Sequence, residues 1–294
     1  MKLTIATRKP FSFEQTQTFI RRFPGCQAQA RVEGSAVLGA FSVDGRGWTV
    51  TLRAAGNDEN ASRHDENAGG VIAELPAGAP RSLARRAAEW IGADDDVEQL
   101  YARARGDRAF APLIAKLHGL HHVRFMGLED IAVHCVLMQR QAPAQTARMK
   151  HRFLEALGHR AEHLYAMPEL AELAALDATA IEHAIKHRVK AERIAAVVRG
   201  IAAIGEDFLR TAKYADAKAA LLDVPGIGPF SATAILLRGL GRHDENPVLE
   251  MFEDEGRLVY GAAWNEAALA KRYGDQIGYW TYYLKTGAAQ LRGS

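Results

Sequence analysis

The chain has 294 residues, enough for two domains with buried cores. Its 37 Lys and Arg against 35 Asp and Glu leave a formal net charge of +2, so any nucleic-acid face must be local. The two cysteines, Cys26 and Cys135, are far apart and lack metal spacing, which argues against a disulfide framework and for a reducing compartment. There is no apolar run of about 18 residues and no apolar N-terminal region, so no membrane span is expected and a cytoplasmic protein is.

Residues 2–7 alternate like a strand. Ser12 is the expected N-cap of a helix carrying Phe19, Ile20 and Phe23 at helical spacing. Strands are predicted around residues 29–32, 36–43 and 48–52, with Asp44-Gly45 as the turn signal between two of them. The polar stretch 57–70, rich in Gly, Asn and Asp, reads as a disordered loop. A strand at 71–75 follows, then a helix at 80–91 with Leu83, Ala87 and Ile91 on one face. The unit is strand–helix–strands–helix around an antiparallel sheet.

From about residue 106 the pattern is almost wholly helical. Helices are expected at 108–117, 128–139, 144–157 and from Met167-Pro168-Glu169-Leu170, then at 177–186 with Asp177 as N-cap. Residues 187–204, 209–212 and 216–222 follow, the last with Asp216 as N-cap. The fold class is therefore α+β. An N-terminal antiparallel β-sheet domain with two helices (1–105) precedes an all-α domain (106–294).

Between the last of these helices and the next stands Val224-Pro225-Gly226-Ile227-Gly228. Pro225 cannot continue a helix, Gly226 and Gly228 admit backbone angles closed to other residues, and a new helix is expected near Phe230. A tight helix–turn–helix over 221–232 presents free backbone N–H groups at a helix start, and these suit a phosphodiester. Pro225, Gly226, Ile227, Gly228, Phe230 and Ser231 are the candidate contact residues. Lys213, Arg238 and Arg242 flank the hairpin as candidate phosphate contacts.

The Pro-Gly-x-Gly hairpin, the polar loop at 241–246 and the carboxylate Glu250 after it together resemble the helix-hairpin-helix (HhH-GPD) DNA glycosylases, which excise damaged bases. Lys190-Ala191-Glu192-Arg193-Ile194 is similar to the family's Lys-Ala-x-x-Ile before the hairpin. The Lys-Pro-Phe-Ser-Phe entry at 9–13 is similar to that of the AlkA-type 3-methyladenine glycosylases. The resemblance implies a TBP-like N-terminal domain, duplex DNA with damaged bases as partner, a monomer, and base flipping. It implies no organic cofactor and leaves room for a monovalent cation at the hairpin carbonyls. Iron–sulfur relatives need four closely spaced cysteines near the C-terminus, which are absent, so no cluster is expected.

The family places an Asp about twenty residues beyond the aromatic or Lys of the hairpin, to stabilise the oxocarbenium-like sugar and position water. The count from Phe230 lands on Glu250. Glu is one methylene longer, which displaces the carboxylate by about 1.5 Å. Asp254, one turn on, is the alternative. The lyase members carry a Schiff-base Lys where this chain has Phe230, so water is the expected nucleophile.

An aromatic at that position can stack on an electron-poor base, and an alkylated purine is the expected substrate. Other pocket aromatics of the AlkA-type pattern are replaced here by Met251, Ala234 and Lys285. In the last helix, rich in aromatics, Trp280 and Tyr283 are the candidates for the base pocket beside Phe230 and Met251. Gln139 matches a family Gln at a helix end, and Arg140 or Gln141 is the expected wedge into the DNA stack. His118, His121 and His122 cluster without Cys or carboxylate at metal spacing, so no zinc site is expected.

Overall fold

The computed structural model describes residues 1–56, 70–245 and 249–292, with side chains throughout these except at 250, 291 and 292. All but the last residue of the loop expected at 57–70 therefore lies outside the described residues, as does Asn246 with Pro247 and Val248.

Alternation along the first quarter of the chain builds a five-stranded antiparallel sheet: β1 (Lys2–Ala6), β2 (Ala30–Glu33), β3 (Ala36–Val43), β4 (Arg46–Ala54) and β5 (Gly70–Glu74). The spatial order is β1-β5-β4-β3-β2. Phe41 faces Trp48, and Val37 faces Leu52, so one face is a continuous apolar layer. The β3–β4 connection is Asp44-Gly45, both with positive φ (53° and 67°), the geometry of a two-residue hairpin that holds the strand twist.

Two helices cover the apolar face. α1 (Phe13–Arg22) is capped by Ser12, whose hydroxyl accepts from the Gln15 N–H at 3.2 Å. α2 (Ser82–Trp90) buries Leu83, Ala87 and Trp90. Together they close a core with Phe13, Ile20, Phe41, Val50 and Leu52. A short hairpin that periodicity does not reveal, β6 (His159–Ala161) with β7 (Leu164–Ala166), covers part of the opposite face through Ala161, Leu164 and Ala166 against Ala40. Gly47 lets it approach: a Cβ there would lie 2.6 Å from the Arg160 carbonyl oxygen.

The rest is helical. α3 (Val97–Ala104), α4 (Ala111–Lys116), α14 (Glu266–Tyr273) and α15 (Ile277–Arg292) form one bundle around Phe110, Tyr273 and Trp280. α3 was not expected from the sequence; it begins inside the stretch assigned to the N-terminal domain and packs here. The second bundle runs through α5 (Leu128–Met138), α6 (Pro143–Leu157), α7 (Leu170–Ala175), α8 (Ala178–Ile185), α9 (Arg188–Ile204), α10 (Glu206–Thr211), α11 (Tyr214–Leu222) and α12 (Pro229–Ala234). α13 (Glu253–Tyr260) bridges toward the first bundle, where Tyr260 accepts a hydrogen bond from the Trp280 indole at 3.0 Å.

Asp177 caps α8 as expected. Asp216 does not cap α11: the helix starts earlier, with Lys213 at the N-cap and Asp216 in the first turn. A carboxylate there still favours the positive end of the helix dipole, so the residue type is satisfied either way.

Candidate active site

α11 and α12 enclose the turn Asp223–Gly228. Val224 and Ile227 are buried in the helical core, which pins the turn from below and leaves Pro225, Gly226 and Gly228 at the surface. Gly226 has φ +101°, a conformation rare for any side chain, and a Cβ there would sit 2.6 Å from Arg193 Cγ. Gly228, by contrast, is extended (φ −101°, ψ 178°), with open space where a Cβ would be. The expectation that both glycines supply forbidden angles thus holds for Gly226 alone. Pro229 occupies the first helical position, where a missing N–H costs nothing. Ser231 is buried, its hydroxyl against Cys135, so its side chain does not reach the surface.

The turn after α5 lies beside the hairpin. Lys190, buried at the start of α9, donates to the carbonyls of Val136 (3.0 Å), Leu137 (2.8 Å) and Gln139 (2.7 Å). One ammonium therefore gathers the last carbonyls of α5 and the Gln139 carbonyl that follows it. Arg193, one turn on, holds the Gln139 side-chain oxygen, and Gln139 Nε2 donates to the Gly226 carbonyl at 3.1 Å. Arg140 follows with φ +53°, so the chain turns sharply and Arg140 and Gln141 border a shallow groove with His187 and Arg193.

Behind the hairpin is a cavity of about 420 Å³, a size that suits a small-molecule ligand. Phe230 lines it from α12, Phe19 and Phe23 from α1, and Tyr282 from α15. Phe19 stacks on Phe23 with ring centres 5.3 Å apart and meets Tyr282 at 5.1 Å. Met251 and Phe252 close one side, from the 3-10 turn Leu249–Phe252 that carries Glu250. Glu250 thus immediately precedes the cavity residues Met251 and Phe252 in the chain; its side chain lies outside the described residues.

Burial holds the histidines and the cysteine at the cavity neutral. The imidazole of His134 is pushed down to about 3, with Lys150 and Arg238 adding to the effect. His122 lies well below the usual imidazole range for the same reason, and its Nδ1 is 3.2 Å from Nε2 of His243, itself lowered to about 4. Burial raises the Cys135 thiol to about 12, so it is no nucleophile at neutral pH.

No family model matches the chain. A DNA-3-methyladenine glycosylase of Bacillus subtilis (strain 168) is 27% identical over 158 residues, 52% of this chain and 52% of that protein. The match thus spans about half the length of this curated relative. Among solved structures, a 3-methyladenine DNA glycosylase from Archaeoglobus fulgidus superimposes with a TM-score of 0.73 at 17% identity, over 96% of each chain. The 8-oxoguanine glycosylase/lyase of Clostridium acetobutylicum, in complex with double-stranded DNA, gives 0.70 at 13% identity, over 97% of this chain and 93% of that one. The chain has the fold of these DNA glycosylases.

Several residues singled out within this glycosylase fold sit elsewhere than expected. Trp280 and Tyr283 do not line the cavity: both are fully buried, Tyr283 donating to the carbonyls of Leu117 (3.1 Å) and Leu120 (2.9 Å). They pack into the α3–α4–α14 bundle, while Tyr282 reaches the cavity. Phe230 and Met251 do line the cavity. Asp254, the alternative carboxylate, is exposed on the first turn of α13 and does not.

Arg242 is not a surface cation; it donates to the carbonyls of Leu209 (3.1 Å) and Ala212 (2.8 Å) at the end of α10. Arg238 is not at the surface either and lies in the cavity wall. Lys213 is exposed. His121 bonds backbone carbonyls on both ring nitrogens, and among the described residues no group of three His, Cys, Asp or Glu side chains converges as metal ligands.

Phe19, Phe23, Tyr282 and Arg238 are among the cavity residues that sequence reasoning did not place there. The signal for the first two was present: two Phe spaced i, i+4 on a helix already carrying Ile20 toward the sheet core.

Proposed function

We propose that this chain is a monofunctional DNA glycosylase that flips a damaged base from duplex DNA and hydrolyses its N-glycosidic bond, leaving an abasic site. The observation that carries the reading is one juxtaposition. Phe230 of the hairpin helix and the turn bearing Glu250 bound the same aromatic cavity, whose lining also includes Met138, the residue before the Gln139-Arg140-Gln141 turn.

The hairpin and the first turn of α12 hold the DNA backbone, with a monovalent cation at the hairpin carbonyls as an added bridge. Arg140 or Gln141 fills the gap in the stack. The flipped base lies between Phe230, Phe19 and Tyr282. As the C1′–N bond breaks, the carboxylate of Glu250 stabilises the positive sugar and takes a proton from the attacking water. No amine stands at position 230, so no covalent sugar–enzyme intermediate forms. The chemistry needs no organic cofactor or iron–sulfur cluster, and the protein works as a monomer in the cytoplasm. The aromatic walls and the 3-methyladenine glycosylase among its relatives support an alkylated purine as substrate. An oxidised or deaminated base is the second reading, favoured by the cation Arg238 in the wall.

The test is base release from lesion-bearing duplexes by the wild type and Glu250→Gln. Loss of about 10²–10⁴-fold in the variant, with duplex binding kept, is expected. Undiminished release would move the role to another carboxylate. Binding without release by the wild type would make this a damaged-DNA-binding protein.

A further inference from the structure

Arg238 lies in a π-helical turn, Ile235–Gly239, that continues α12. It is eight residues beyond Phe230 and four beyond Ala234, and all three line the cavity. Its guanidinium carbon is 4.9 Å from the ring centre of Phe23, 5.6 Å from Phe125, and 5.9 Å from both Phe19 and Tyr282. Its Nε and Nη2 are buried and have no hydrogen-bond partner among the described residues. Burial lowers its pKa, yet an arginine keeps its proton.

The other charged side chains of the wall are Arg22 and Lys285, also cations. No carboxylate among the described residues lines the cavity, and Glu255 comes near only through Lys285, at 3.7 Å. The aromatic faces offset part of the cost of burying the charge. They cannot accept the guanidinium's in-plane hydrogen bonds, and a ligand with acceptor atoms can.

Damaged bases divide into two classes by charge. N3- and N7-alkylated purines are cationic while still attached to the sugar. When their C1′–N bond breaks, the electron pair neutralises the ring and the base leaves uncharged. A neutral base takes the same pair and leaves as an anion, which later collects a proton from solvent. A buried guanidinium repels the first class and holds the negative charge of the second. The geometry points to Arg238 as the group that selects uncharged, acceptor-bearing damaged bases and stabilises the departing base anion. This rests on the glycosylase reading above and, within it, favours the second substrate reading, an oxidised or deaminated base, over a cationic alkylated purine.

The test compares duplexes carrying hypoxanthine or 8-oxoguanine with duplexes carrying 7-methylguanine or 3-methyladenine. Single-turnover release is expressed as enhancement over each base's spontaneous loss. Wild type is expected to enhance the neutral pair more. Arg238→Met is expected to cut that enhancement by about 100-fold and to leave or raise the cationic one. Arg238→Lys keeps part of it, and added guanidinium ion restores part of it to the Met variant.

Equal losses on both classes would make Arg238 a packing residue and overturn the assignment, as would a wild type that enhances the cationic pair more. If the Met variant does not fold, Arg238→Lys decides by the same ratio. If no duplex releases a base, the glycosylase reading falls, and affinity for the same bases on 2′-fluoro sugars, which resist cleavage, decides the selectivity. A loss of about 10-fold on neutral bases alone in Arg238→Met would support it, and equal changes on both would overturn it.

Discussion

Gln139 donates from its amide nitrogen to the carbonyl oxygen of Gly226 at 3.1 Å, so the turn after α5 and the hairpin before α12 form one clamped surface. Lys190 and Arg193 hold Gln139 from the other side, through its backbone carbonyl and its amide oxygen. The Lys-Ala-x-x-Ile segment is therefore a brace for these two turns.

The brace separates stability from binding. Lys190→Met removes a buried cation from three carbonyls and is expected to destabilise the fold by about 3 kcal/mol in denaturant titration. Gln139→Ala breaks one exposed clamp and is expected to cost only about 1 kcal/mol, while weakening affinity for a duplex with an abasic-site mimic. Unchanged affinity in Gln139→Ala would show that the clamp does not position the wedge.

The two hairpin glycines should behave oppositely. Gly226→Ala forces a side chain into φ +101° against Arg193 and is expected to lower stability by more than about 1–2 kcal/mol. Gly228→Ala is expected to fold with near-native stability, since its backbone is extended and its Cβ meets open space. If that space receives a phosphate, Gly228→Ala loses duplex affinity without losing stability. Thermal melts and fluorescence anisotropy on the same samples check both.

Phe230→Ala should weaken capture of the flipped base by about 1–3 kcal/mol, read as affinity for a lesion duplex against an undamaged one. The fold should survive, because Phe230 is only half-buried at the cavity wall. Trp280→Ala is expected to do the reverse. It empties a core position, costs about 3–5 kcal/mol of stability, and leaves the ratio of lesion to undamaged affinity intact in the folded fraction. A change of that ratio in Trp280→Ala would put Trp280 back in the base pocket.

Acid should destabilise the protein before its carboxylates titrate. His243 and His134 are held neutral by burial, at about 4 and about 3, against a usual value of 6.5. A lowered histidine pKa favours the fold above 6.5, and that advantage is lost as pH falls from 6.5 toward the folded value. Each such group steepens the decline by up to about 1.4 kcal/mol per pH unit. Melting temperatures should therefore fall between pH 6.5 and 4, and His243→Gln should flatten part of that fall. An unaltered slope would show that His243 is protonated in the folded protein.

Much of the frame was legible in the residues. Alternation marked the strands, Asp44-Gly45 marked their tight turn, and Ser12 and Asp177 marked helix starts, because each is a local rule set by backbone sterics or by one hydrogen bond. The β6–β7 hairpin was not legible. Its strands have three residues each, too few for a period to show. The residues of α3 gave no expectation of a helix, and its place in the bundle depends, beyond nearby α4, on α14 and α15, which are more than 160 residues away.

At the candidate site the sequence by itself determined the Pro225–Gly228 turn, the aromatic at 230 and the position of a carboxylate after it. The tertiary structure decided which side of each helix became a cavity wall. Spacing placed Tyr282 and Tyr283 side by side on one helix, and only the packing of α3 and α4 on one flank and of α1 on the other sent Tyr283 into the core and Tyr282 into the cavity. Arg238 carries a charge and so read as surface. Its position relative to Phe230 was local, but the aromatic rings that enclose it come from α1, the loop at Phe125 and α15. A helix specifies the direction of its side chains within itself; whether that direction meets water or protein is settled by segments distant in the chain.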